Sequence, residues 1–141
     1  MNAADRLVTA LAAEHAAIYG YGVVGGRLTG SVLDASRQAE GTHRQRRDDL
    51  IIRLTGAGVT PPAAEPAYAT PFIVTDQAGA LRLAAVLEER TAQVWRSALP
   101  VTTGDDRALA LAALVDAARR CARWRGAAGE ELAVTPFPGK P

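Results

Sequence analysis

Apolar residues in this chain recur at intervals of three and four, the spacing of one face of an α-helix. A stripe at Leu7, Leu11, Glu14, Ile18, Tyr21 and Gly25 predicts one amphipathic helix, and Leu81, Ala85, Glu88, Ala92, Trp95 and Leu99 predict another. Each stripe holds one carboxylate where a core residue belongs. Leu33, Glu40, His43, Arg47, Leu50 and Leu54 lie near one face of a third segment, and Leu109, Ala112, Asp116 and then Arg119 or Arg120 mark a fourth. These two stripes are less regular. β-Branched residues never alternate over a strand's length, so the pattern is all-α.

Helix breakers divide the four segments. The first runs from about Asn2 to Gly25 or Arg27. The second follows Thr29-Gly30-Ser31, where Ser31 with Asp34 forms a capping-box pattern, and stops near Gly56. The stretch GAGVTPPAAEPAYATPFIV holds four prolines and cannot be helical throughout. Thr75 or Asp76 opens the third helix and Pro100 ends it. Thr103 with Asp106 is a second capping-box pattern, opening a helix that reaches about Gly126. The connections are therefore short, long and short. A bundle with one long crossover between its second and third helices has the connectivity of ferritin-like folds. The predicted organisation is a four-helix bundle over residues 1–128 followed by a proline-rich tail, 129–141.

Composition narrows the partners more than the fold. Sixteen Lys and Arg against 15 Asp and Glu leave no overall field to attract nucleic acid or an anionic membrane. The single cysteine, Cys121, cannot form an internal disulfide, and the charged start MNAADRLVTALAAEH does not read as a signal peptide, so the expected location is cytoplasmic. No unbroken run of 18 or more apolar residues predicts a membrane span. At 141 residues the chain is long enough to bury a core without a staple. Alanine-rich helix faces favour close packing and an association into homodimers.

The intruding polar residues share an address. Glu14, Glu40, His43, Glu88 and Asp116 all lie near the middles of their segments, and antiparallel helices of similar length bring their midpoints to one height. They are expected to converge in a mid-bundle layer, where bundle proteins build metal sites from facing helices. The order Glu14, Glu40-x-x-His43, Glu88, Asp116-x-x-Arg119 resembles the ferritin-like di-iron pattern with its last Glu-x-x-His broken. The stretches LAAEHAAIYGYGVVGGRL and TPFPG are similar to an uncharacterised ferritin-like family of actinobacteria, the DUF4439 type. The resemblance implies the fold and leaves the activity open.

Arginine has no acceptor lone pair and cannot ligate a metal, so Arg119 would bring a fixed positive charge instead, helped by Arg47. A salt-bridge network thus competes with a metal, and the expectation is no cofactor, with Fe or Mn as the alternative. His15 lies about 100° round the helix from Glu14 and reads as a surface or subunit-contact residue. Arg44 pairs on paper with Asp48 in a solvated charge lattice. Trp95 and Trp124 read as core or interface anchors, and Cys121 as a small buried hydrophobe. A module acting through its surface is favoured over an oxidase or storage protein, and over an acid–base enzyme without metal.

Overall fold

The computed structural model describes residues 1–130 and 138–139. Four helices occur, α1 (Ala3–Gly25), α2 (Gly30–Gly56), α3 (Gln77–Ala98) and α4 (Gly104–Ala127), with a 3₁₀ turn at Leu99–Val101. Among the described residues there is no strand. The all-α bundle and its short, long, short connections are as the pattern predicts.

Local chemistry sets the helix starts. Asn2 caps α1 by accepting the Asp5 N–H at 2.9 Å, while the Asp5 carboxylate takes the Asn2 N–H at 3.0 Å. Asp76 caps α3, accepting the Gly79 N–H at 2.8 Å. The two expected capping boxes do not form. α2 and α4 begin one residue before Ser31 and just after Thr103, at Gly30 and Gly104, whose φ values of 63° and 55° suit glycine. Ser31 is thereby drawn inside the first turn, where it cannot cap. Asp106 instead reaches across to Arg53 at 2.8 Å. Pro100 stops α3 as expected, since its ring forbids further α-helix.

Extensive contacts join α1 to α2, α3 to α4 and α1 to α3. At the α1–α3 crossing a Cβ on Gly20 would lie 2.6 Å from Leu87 Cδ2, so glycine permits the close approach. The crossover, 57–76, lies against these helices: Pro62 meets His15, and the Tyr68 ring sits 5.8 Å from that of Tyr19. Between α2 and α4 a groove stays open, lined by Gly41, Gln45, Arg46, Leu109, Ala112 and Asp116. By length and composition α1 would reach across a bilayer (mean hydropathy 1.3), yet half of that window is buried, as in a core helix.

Buried apolar residues fall into two clusters. One gathers Leu7, Leu11, Leu50, Leu54, Trp95 and Leu114; the other gathers Tyr21, Val24, Leu28, Leu83, Cys121 and Trp124. The expected stripes of α1 and α3 are buried, apart from half-buried Ile18, Gly25 and Leu99. The expected tail falls largely outside the described residues. Its Pro138 carbonyl accepts from Arg96 at 3.2 Å, and Gly139 packs so closely on α3 that a Cβ would sit 2.6 Å from the Ala92 carbonyl oxygen.

Candidate functional site

Between the two apolar clusters lies a polar layer. Glu14 of α1, His43 of α2 and Glu88 of α3 have no exposed surface. The imidazole sits between the two carboxyls, with Nδ1 2.5 Å from Glu14 Oε2 and Nε2 2.9 Å from Glu88 Oε1. Trp95 donates its indole N–H to Glu14 Oε1 at 2.8 Å, and Arg46 donates to the same oxygen at 3.3 Å. Tyr21 donates to Glu88 Oε1 at 2.5 Å and accepts the Trp124 indole N–H at 2.9 Å. Outward, Arg46 and Arg120 both bond Asp116 Oδ2, at 3.0 and 2.7 Å. A continuous chain of hydrogen bonds therefore runs from Trp124 through the core to Asp116, whose side chain is 37% exposed at the α2/α4 groove.

Burial alone would strip these groups of charge; the neighbours decide otherwise. Burial disfavours the His43 imidazolium, but the hydrogen bonds and charges of Glu14 and Glu88 outweigh it and raise its pKa from 6.5 to about 9. At neutral pH both ring nitrogens are donors. Burial likewise opposes ionisation of Glu14, and His43, then Arg46 and the Trp95 indole, overcome it and hold the carboxyl below its usual range. Burial and then the Glu88 charge push the Tyr21 phenol well above its ordinary value, so it stays a donor. Against its own partial burial, Asp116 is held low by Arg120 and Arg46.

Three of the five expected residues, Glu14, His43 and Glu88, meet in the layer, and Asp116 joins through Arg46. Glu40 does not join. It lies on the flank of α2, where Arg44 bonds it at 2.7 Å. The buried face of α2 reads Ser36, Ala39, His43, Arg46, Leu50, Leu54, so Glu40 and Arg47, three before and four after His43, fall to one side of it. The internal cation is Arg46, while Arg47 pairs with its neighbour Asp48 at 2.9 Å. Arg44 thus pairs with Glu40 in place of the expected Asp48. On α4 Arg119 is exposed, and Arg120, four residues from Asp116, is the arginine that turns inward. His15 is not a surface residue: it is buried beneath the crossover, with Nε2 3.0 Å from the Pro62 carbonyl. Cys121 is a buried thiol donating to the Ala85 carbonyl at 3.4 Å, and burial pushes its pKa up to about 11.

Arg119→Ala is accordingly expected to change stability by no more than about half a kcal/mol. Arg46→Ala is expected to cost about 2–4 kcal/mol, because it removes one side of a buried pair with Glu14. Urea titrations of the two variants side by side check both; equal midpoints would reject the assignment of Arg46 as the internal cation.

The model of the domain of unknown function DUF4439 matches residues 6–141. The chain belongs to this family. Its fold is similar to the crystal structure of a conserved hypothetical protein, rv2844, from Mycobacterium tuberculosis, with 40% sequence identity and a TM-score of 0.85 over 89% of this chain and 96% of that one. A search of curated proteins finds no match. The family match spans the tail as well as the bundle.

The donor set does not fit a metal centre as it stands. Each His43 nitrogen is already committed to a carboxyl oxygen, and Arg46 holds the other Glu14 oxygen. Among the described residues no three His, Cys, Asp or Glu side chains are grouped so as to hold a metal ion. What the arrangement can do chemically is keep charges in a buried layer and share protons along a fixed chain of donors and acceptors.

Proposed function

We propose that the chain is a ferritin-like bundle in which the protein's own cations stand where a di-iron protein holds metal, and that it acts as a non-catalytic module. The observation that carries this reading is the placement of His43 between Glu14 and Glu88, with Arg46 on Glu14. Carboxylates crowded in a low-dielectric layer are stabilised by a metal or by fixed cations, and here the cations are supplied by α2. The short, long, short connectivity supports the ferritin-like kinship. A non-catalytic role is supported by the complete burial of Glu14, His43 and Glu88, since a general acid or base has to touch its substrate. A cytoplasmic setting agrees with one buried free thiol.

One observation favours the alternative of an Fe- or Mn-binding carboxylate protein: Glu88 Oε2 is buried without a hydrogen-bond partner. An orphaned acceptor of this kind is satisfied by a cation or by a donor. The experiment is elemental analysis of protein purified from cells grown with both metals, followed by melts with added Fe(II) and Mn(II). The proposal expects substoichiometric metal and an unchanged midpoint. One bound ion per chain with a raised midpoint would overturn it, because a ligand selective for the folded state must stabilise that state.

A further inference from the structure

We infer that a second copy of this chain docks on the outer face of α4, antiparallel to it, across a two-fold axis near Ala112. The inner face of α4 is spent on the core through Ala110, Ala113, Leu114, Ala117, Cys121 and Trp124. Its outer face is apolar at the centre and charged at both ends. Leu111 and Val115 are 52% and 38% exposed, and Ala108 and Ala112 beside them are exposed as well. Leu111, Val115, Ala108 and Ala112 together form a contiguous apolar strip that a partner surface could cover.

The charges identify the partner. Asp105 and Arg119 are both exposed, and each lies seven residues from Ala112, on opposite sides of it. A heptad spacing keeps all three on one side of the helix, with each charge about 10 Å from Ala112 along the axis. Among the described residues neither forms an ion pair, whereas the neighbouring Asp106 and Arg120 are engaged by Arg53 and Asp116. A two-fold axis through the region of Ala112 sets Asp105 of each copy against Arg119 of the other. The same operation places Leu111 beside its own symmetry mate and Val115 beside the partner's Ala108, and the alanines let the backbones approach. A surface complementary to itself in this way is what an isologous contact requires.

The test uses the full chain and three surface substitutions. Sedimentation velocity of the wild type should show a dimer at micromolar concentration. Asp105→Arg sets arginine against arginine at both ends of the contact, and Arg119→Asp sets aspartate against aspartate; each is expected to weaken association by about tenfold or more. Mixing the two variants should restore dimerisation, because only the heterodimer has opposite charges at both ends. Leu111→Glu should leave monomer. All three positions are exposed, so each variant is expected to fold, with a melting temperature below the wild type's by no more than the lost association contributed; if Leu111→Glu does not fold, the charge pair decides alone. A wild type that stays monomeric, a dimer indifferent to both charge reversals, or a mixture that fails to reassociate would each overturn the inference.

Discussion

Glu14→Ala is expected to lower the stability of the bundle by about 3–5 kcal/mol, the largest effect of any single substitution in the layer. Glu14 accepts from three buried groups: the His43 imidazole, the Arg46 guanidinium and the Trp95 indole. Deleting it leaves the Trp95 N–H without an acceptor and strips one carboxylate from each of two cationic groups, which keep only Glu88 and Asp116, and each loss carries its own desolvation cost. A domain of this size has a total stability on the order of 10 kcal/mol, so the loss is a large fraction of it and should lower the melting temperature by roughly 10 °C or more. His43→Ala should fall in the same range, since it leaves the Glu14 and Glu88 carboxyls facing each other with no donor between them. The triple change Glu14→Met, His43→Leu, Glu88→Met should recover part of the loss, because it removes the carboxyls and the imidazole together but still leaves the Trp95 N–H and the Tyr21 O–H without an acceptor. Guanidinium denaturation of the four proteins checks the series. A loss below about 1 kcal/mol for Glu14→Ala would mean that the layer is hydrated and not the dry network described above.

The second large effect is a dependence on pH with two limbs. His43 titrates near 9 in the folded chain against 6.5 when unfolded, so the folded state holds an extra proton between those values. Its contribution, about 3 kcal/mol, is fully present below pH 6.5 and is lost as pH rises through 9. Glu14 and Asp116 are held below their ordinary values of 4.5 and 3.8, so theirs is present above those values and is lost as the pH falls through the folded-state titrations. Stability should therefore be greatest between about pH 5 and 6.5 and decline on both sides. In His43→Gln the alkaline decline should disappear while the acid one, carried by Asp116 with Arg46 and Arg120, remains. Urea midpoints measured from below about pH 4 to above pH 9 decide it; an alkaline limb as steep in the variant as in the wild type would assign the effect to another group.

The helices and their connections were legible because glycine and proline punctuate the chain and the apolar stripes repeat without ambiguity on α1 and α3. Glu14 and Glu88 could be placed for the same reason: each interrupts a stripe whose other members leave no doubt about which way it faces. α2 was harder. Its face is built from Ser36, Ala39, His43 and Arg46, small or polar residues that give no hydrophobic contrast, so a phase that put Glu40 and Arg47 inward was as good on paper. Taking Arg47 for Arg46 is a step of about 100° round the helix, enough to exchange a buried arginine for a partly exposed one. On α4, Arg119 and Arg120 are adjacent and both lie within one turn of Asp116, so only the phase of the alanine-rich buried face, with Arg120 seven residues after Ala113 and four before Trp124, could have shown which one turns inward. The roles of Tyr21, Trp95 and Trp124 were hidden for another reason. Aromatic side chains fill a core by default, and their polar tips show a purpose only when an acceptor is seen beside them. Likewise nothing in the local sequence told that the crossover would fold over His15.

The chain has two tryptophans, and both donate their indole N–H into the buried layer: Trp95 to Glu14 and Trp124 to Tyr21. An indole's emission responds to what its N–H is bonded to and to charges near the ring. The protein therefore carries its own optical probes at one end of its hydrogen-bond chain and beside its middle, with no other tryptophan to obscure them. Protonation changes at His43, arrival of a cation at Glu88, or loosening of the α2/α4 seam would each be read from the unlabelled molecule as a change in colour or intensity.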